Sequence, residues 1–423
     1  MGDLAESEPD RKKIKHQLDE DSLRCKHFVQ RKKRFCKMTV GVGKEFCGEH
    51  EPTNTLISSD RIVCPLDPKH TISASKLQKH LKICNARPPT QQKAYIVPGI
   101  NCASSGDEQA SPPLTMAAGK KLSEIPVETM AALIAKINTI YDSASPAIKE
   151  HSPRHDILEQ ELTREHYGPQ TLKHLTQSSA LLGLLDHHGF LQNDTAFIEF
   201  GAGKGQVSYW LAKIVVDTQL SHCKVLLVDR ASHRHKKDNK IEDREIVQRI
   251  RADIADLVLS EIVGSNKQCV GIGKHLCGSA TDLALRCLVK SKSANSTFTV
   301  KGCLFALCCH HRCEWNTFVG KQFLLANGIG QPEFENIVRM VSWAVCGTGR
   351  SRNKKESPDL ENEKQDRCGL SRNEREVIGK KCKRILDIAR SKYMQQNGYE
   401  VYLRYYVTSE ITLENVCLVC VEK

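Results

Sequence analysis

The chain has 423 residues, 40% of them apolar, which gives room for two or three domains and at least one substantial core. No apolar run approaches the roughly 18 residues of a membrane helix, and 19 cysteines in a chain of this length point to thiols and metal ligands rather than a disulfide framework. The formal charge of +12 disfavours a basic partner and favours a polyanionic one.

The N-terminal stretch MGDLAESEPDRKKIK is acidic and then basic, with no apolar segment, so it does not read as a secretory signal. Gly2 does not sit in a myristoylation motif, because position 6 is Glu6 rather than Ser or Thr. Residues 1–21 are predicted to be a disordered tail, and residence inside the cell, in nucleus or cytoplasm, is expected. The positive charge is local: residues 22–93 hold 15 Lys and Arg against five acids, an excess of ten, so the remainder is nearly balanced. A basic module of this kind suits a phosphate backbone.

Cys25, Cys36, Cys47 and His50 form a C-x10-C-x10-C-x2-H pattern over a module at 22–55. Three thiolates and an imidazole satisfy tetrahedral Zn²⁺, although His27 could replace one ligand. In the next module, 56–92, Cys64, His70, His80 and Cys84 read C-x5-H-x9-H-x3-C. His80 and Cys84 fall on one face of a helix expected from about Ser73. Neither module has the apolar content to fold unaided, so metal binding must supply stability. The RKKR run at Arg31–Arg34 lies between the first two cysteines, where it can present cations to a nucleic acid.

From Asn85 to about Lys120 the composition turns to Pro, Gly, Ser and Gln, predicting a flexible linker over 93–120. Two helices then form a prelude at 121–190. Leu122–Tyr141 carries a stripe of Ile125, Met130, Leu133, Ile134, Ile137 and Ile140, and Gln170–His187 places Leu172, Leu175, Ala180, Leu181, Leu184 and Leu185 inward. Beyond Asp194, strands and helices alternate, which predicts an α/β body with a mostly parallel, seven-stranded, Rossmann-like sheet. The strands are expected at Ala196–Phe200, Lys224–Val228, Arg249–Asp253, Cys269–His275, Lys301–Cys308, Glu400–Val407 and Asn415–Val421. A long helix, Arg372–Gln396, opens on a Ser371/Glu374 capping box. Gly347–Gly369, charged and poor in large apolar residues, reads as a mobile insertion.

The first strand runs into Gly201-Ala202-Gly203-Lys204-Gly205. A dinucleotide fingerprint needs its third glycine one residue later, and a P-loop needs GK[ST], so neither fits. Glu199 precedes the turn, Asp229 ends the second strand, and Asp253 ends the third. An acid beside the loop repels pyrophosphate and attracts the cationic groups of S-adenosylmethionine. Asp229 is placed for ribose hydroxyls and Asp253 for an adenine amino group. The body is therefore expected to be an S-adenosylmethionine-dependent methyltransferase following two zinc modules.

The CCCH unit, the CHHC finger, EFGAGKGQ, GKHLCGSATDLALRC and ALCCHHRCEW together resemble the eukaryotic tRNA 2'-O-methyltransferases acting on acceptor-stem position four. The resemblance spans roughly Ser22–Glu422, and it implies a tRNA acceptor stem as partner and a ribose hydroxyl as acceptor. Within it, Glu199, Gly201, Gly203 and Gly205 match the donor loop and Asp229 the ribose contact. Lys274, His275 and Cys277 stand in the fourth-strand motif, and Cys308–His311 at the end of the fifth strand. A ribose hydroxyl is a poor nucleophile at neutral pH, so positioning and a nearby base must supply the rate. His275 and His310 are candidate bases, and Lys274 is a base or a phosphate contact. Cys308–Cys313 permits a third zinc site, though adjacent ligands on a strand give poor tetrahedral geometry. The alternative is a zinc-finger RNA-binding factor built on an inactive methyltransferase fold.

Overall fold

The computed structural model describes residues 24–30, 34–36, 38–40, 43, 45–47, 50, 61–84, 87, 93–102, 121–144, 147–231, 245–293, 298–346 and 367–423. The expected tail over 1–21, residues 31–33 of the basic run and most of the expected insertion lie outside the described residues. The chain divides into two compact units, Met1–Gln92 and Lys93–Lys423.

In the first unit, β1 (Phe28–Val29) pairs antiparallel with β2 (Arg34–Phe35), and β3 (Arg61–Cys64) with β4 (Asp67–Ser73). A 3₁₀ turn at Ala74–Lys76 leads into α1 (Leu77–Ile83), which supplies His80 and ends at Cys84. Phe28, Phe35, Ile62, Val63 and Ile83 are all exposed, whereas Cys25, Cys36, Cys47, Cys64 and Cys84 are buried. Among the described residues, what this unit buries is largely its thiols, as a metal-organised fold requires.

The second unit is built on an eight-stranded sheet. Its strands are β5 (Lys149–Glu150), β6 (Thr195–Phe200), β7 (Lys224–Asp229), β8 (Val247–Arg251), β9 (Gln268–Cys277), β10 (Thr299–Cys308), β11 (Tyr399–Tyr405) and β12 (Val416–Glu422). The order is β5-β11-β12-β10-β9-β6-β7-β8. From β8 to β10 every neighbour is parallel, and β12 runs antiparallel to both β10 and β11. All seven expected strands are present. The eighth, β5, is a two-residue edge on β11, too short to show a periodicity.

Helices α2 (Val127–Ala144), α3 (Pro169–His187), α4 (Gln206–Asp217), α5 (Ser279–Ser293), α6 (Gln331–Met340) and α7 (Arg372–Gln396) cover the sheet and extend it. All six residues of β6 are buried, as a strand covered on both faces demands. Alternation along it divides the core: Ala196, Ile198 and Phe200 join one cluster, and Phe197 joins the other with α3 and α4. A third cluster packs α2 against α6 and α7, through Ile137, Phe334 and Ile385 among others. The capping box forms as expected, with Ser371 Oγ accepting from Glu374 N and Glu374 Oε2 accepting from Ser371 N.

One boundary is corrected. Residues 93–102 are not linker but belong to the body. Val97 N donates to Asp256 O, and Asn101 Nδ2 bridges the carbonyls of Ile254 and Leu257 at 2.7 and 2.8 Å. Composition missed this because the anchor is a buried asparagine and backbone pairing rather than an apolar pattern. Residues 103–120 lie outside the described residues.

Candidate active site and metal centres

The glycine turn closes the carboxyl end of β6 in three left-handed steps, with φ of 64° at Gly201, 53° at Gly203 and 67° at Gly205. Side chains resist that conformation, which is why glycine stands at each alternate position. Asp229, last residue of β7, fastens the turn: Oδ2 accepts from Gly203 N at 2.8 Å and Oδ1 from Ala231 N at 2.8 Å. Arg249 on β8 adds a bond from Nη1 to Gly203 O at 2.8 Å, a contact the sequence did not announce.

The turn and its acid fit a nucleoside ligand. A Cβ added at Gly203 would meet nothing nearer than Gly201 O at 4.0 Å, so this corner of the turn is open. A carboxylate accepts about four hydrogen bonds, so Asp229 can hold both backbone donors and still receive ribose hydroxyls. Asp253 lies two residues beyond β8 rather than ending it, and its Oδ1 accepts from Ala255 N at 3.1 Å, starting a 3₁₀ turn.

Glu199 takes a place that sequence reasoning did not foresee. Strand alternation puts it on the α4 face, where Oε2 accepts from Ser208 N at 3.0 Å and from Ser208 Oγ. Ser208 is the third residue of α4, and the N-cap, Gly205, has no side chain to offer. Glu199 thus caps the helix from beneath the turn. Burial pushes its carboxyl above the ordinary range, opposed by the Ser208 bonds and by Lys274 and Arg249. The expected direct attraction of a sulfonium by this acid is therefore weakened; its structural service is to the turn.

Lys274 is also turned inward. Residues 270, 272 and 274 of β9 face α3, and Lys274 Nζ donates to His174 O at 2.8 Å and Ser178 Oγ at 3.1 Å. It is a buried, fixed cation. His275, next along the strand, is exposed at the sheet's carboxyl edge, its ring edge-on to His174 at 5.8 Å. The side chain reaches solvent, yet partial desolvation by its neighbours, then the charges of Lys274 and His174, lower its pKa to about 4.

His310 is placed differently. It is 2% exposed, with Nε2 at 2.6 Å from Asp387 Oδ1 on α7. Its Nδ1 lies 4.0 Å from Glu414 Oε2 and has no hydrogen-bond partner among the described residues. Burial pushes Asp387 up, but His310, Arg384 and Arg390 outweigh it and hold the carboxyl below its ordinary range. Arg390 in turn makes a forked pair with Asp282 of α5 at 3.1 and 2.7 Å, both side chains fully buried. Asp387, Asp282 and Arg390 were not among the expected site residues. Polar positions facing inward on α7, between Ile385 and Met394, were the available signal.

Three thiols meet where β9 and β10 end. Cys277, Cys308 and Cys309 have their sulfurs within 4.8 Å of one another, and all three are half-buried. Hydrogen bonding to Cys308 draws the Cys277 thiol down to about 5 against the effect of burial, while Cys308 is pushed up in return.

In the first unit, all four ligands of the first expected zinc site converge, and so do three of the second. Cys25 Sγ lies 3.6 Å and Cys47 Sγ 3.3 Å from His50 Nδ1, with Cys36 and Cys47 sulfurs 4.0 Å apart. Tetrahedral Zn²⁺ with Zn–S near 2.3 Å sets sulfurs about 3.8 Å apart, so the group fits. His27 is not a ligand; its ring stacks on His50 at 3.9 Å. In the second site, Cys64 Sγ lies 3.3 Å from His80 Nε2 and 3.8 Å from Cys84 Sγ. The side chain of His70, the expected fourth ligand, lies outside the described residues.

Comparison with known proteins bears on the whole chain. Residues 176–421 match the family described as Methyltransferase TRM13, residues 23–51 the CCCH zinc finger in TRM13 protein, and residues 61–85 the U11-48K-like CHHC zinc finger. The chain is 35% identical over 463 residues to the tRNA:m(4)X modification enzyme TRM13 homolog of Mus musculus, covering 94% of each chain. It is also 35% identical to the Homo sapiens homolog, over 93% of this chain and 94% of that one. The tRNA:m(4)X modification enzyme TRM13 of Schizosaccharomyces pombe is 33% identical, over 86% of this chain and 96% of that one.

Proposed function

This chain belongs to the TRM13 methyltransferase family, and from that premise we propose that it methylates the ribose 2'-hydroxyl of the nucleotide at position four of the tRNA acceptor stem, with S-adenosylmethionine as donor. One observation carries this reading: an open glycine turn pinned to Asp229 stands in the same chain as two converged zinc-ligand clusters, in segments that match the TRM13 methyltransferase, CCCH-finger and CHHC-finger families.

S-adenosylmethionine supplies an electrophilic methyl group. Asp229 and the turn hold its nucleoside end, and Glu199 keeps the turn in shape by capping α4. Of the two candidate histidines, His275 is the one exposed at the sheet edge where an acceptor can arrive, so it is assigned the proton-accepting role. Lys274 acts from below, holding the end of β9 against α3 and adding positive potential for a phosphate. His310, buried against Asp387, positions the β10–α7 contact. The basic first unit docks the tRNA backbone, and the low aromatic content, 5%, suits duplex contact rather than base stacking.

The test is nucleoside mapping of tRNA incubated with purified enzyme and donor. A 2'-O-methyl group at position four is expected. Methylation at a base, or donor binding without transfer to any tRNA, would overturn the assignment. Replacing Arg31–Arg34 with alanines should lower tRNA affinity and flatten its salt dependence; an unaltered salt slope removes that run from the docking surface.

A further inference from the structure

The ends of β9 and β10 carry a thiol cluster that neither zinc module accounts for. Cys308 and Cys277 are register partners on neighbouring parallel strands. In a regular strand Cys309 would point to the opposite face from Cys308, and two adjacent cysteines could not share one ion. The backbone breaks that rule at the required residue: Cys309 has φ 52°, one of only four described non-glycine residues with positive φ. This left-handed step, unfavourable for a side-chain-bearing residue, brings the third sulfur within 4.8 Å of the other two.

The two loops that carry the thiols are locked together before any ligand binds. Gly278 (φ 54°) lies so close to the Cys309–Cys313 turn that an added Cβ would stand 2.3 Å from Arg312 O. Ser279 Oγ donates to the same carbonyl at 3.2 Å, and Arg312 N donates to Cys309 O at 2.8 Å. Cys313 takes no part: it is buried and receives a bond from Arg390 Nη2 at 3.1 Å. Among the described residues, three groups of Cys, His or acids converge this closely; the other two are the zinc-finger sets.

We propose that Cys277, Cys308 and Cys309 bind a third zinc ion, with the fourth coordination position open to an oxygen ligand. Three protein ligands and one open position distinguish a reactive zinc site from a closed structural one. Three thiolates on a divalent ion leave one net negative charge, and Arg312, within reach of Cys277, balances it. The half-buried sulfurs face the carboxyl edge of the sheet, two residues from His275. On the reading given above, the open position therefore stands where the acceptor oxygen arrives, and the ion would favour its deprotonated form.

The experiment uses the full chain, zinc-saturated and then desalted, with metal counted by native mass spectrometry. Three zinc ions per chain are expected, and Cys277→Ser and Cys309→Ser should each hold two while donor affinity stays within a few-fold of wild type. A second measurement needs no variant: alkylation of the native enzyme should spare Cys277, Cys308 and Cys309 until a chelator is added. Two zinc ions in the wild type, three retained by both variants, or a disulfide joining two of these thiols in the zinc-loaded enzyme would overturn the site. Each outcome is independent of whether tRNA is methylated, so failure of this site and failure of the proposed function are separable.

Discussion

Replacing Asp229 by asparagine tests the donor site at its anchor. Each carboxylate oxygen receives one backbone N–H, Gly203 on Oδ2 and Ala231 on Oδ1, both at 2.8 Å. An amide has one oxygen and one NH₂, so whichever way it turns, one backbone donor faces another donor. Leaving such a group unsatisfied costs about 1–3 kcal/mol. The ribose hydroxyls also lose a charged acceptor, worth roughly 1.5–3 kcal/mol for one bond. The second term alone predicts that donor affinity in calorimetry falls about 10- to 150-fold. The first appears as a loosened turn, seen as faster amide exchange at Gly203 and a modest fall in melting temperature. If Asp229→Asn binds the donor within threefold of wild type and keeps its exchange protection, Asp229 does not hold the ribose.

Three further outcomes follow from the geometry. In single-turnover assays at saturating donor, His275→Ala should slow methyl transfer about 10²- to 10⁴-fold without weakening donor binding, while His310→Ala should act mainly on melting temperature; full rate in His275→Ala would remove its role. Asp282→Ala leaves the buried Arg390 without its forked partner and should cost about 3–5 kcal/mol in denaturant unfolding, whereas a loss below 1 kcal/mol would mean that Asp387, 3.9 Å away, suffices. His188, desolvated and faced by His187, Arg404 and His151, with only Glu400 opposing, has its pKa lowered to about 4. The unfolded chain then takes up the proton first, so stability is lost as pH falls from about 6.5 through 4, by roughly 1–2 kcal/mol once solvent screening of the half-buried ring is allowed for; His188→Phe should flatten the melting profile over that window.

Much of this fold could be read from the residues in order. Strands β6 to β12 are written as short apolar runs, the helices as stripes at helical spacing, and the turn as glycines at alternate positions where left-handed backbone is needed. The zinc sets were legible for a similar reason, since cysteines and histidines at those spacings have few other uses. Local chemistry fixes such features, and local chemistry is what a sequence displays.

Direction and partnership were decided elsewhere. Glu199 looked like a charge facing the ligand, and Lys274 like a reactive amine; strand alternation turns both inward, onto α4 and α3. Asp387, Asp282 and Arg390 gained their roles from helices far apart in the chain, and residues 93–102 became part of the body through Asn101. Cys277 joined Cys308 and Cys309 because β9 and β10 lie side by side and one residue takes a left-handed turn. The composition of a segment sets what its side chains can do; which of them face one another depends on register, twist and loop conformation, and only the assembled sheet determines those.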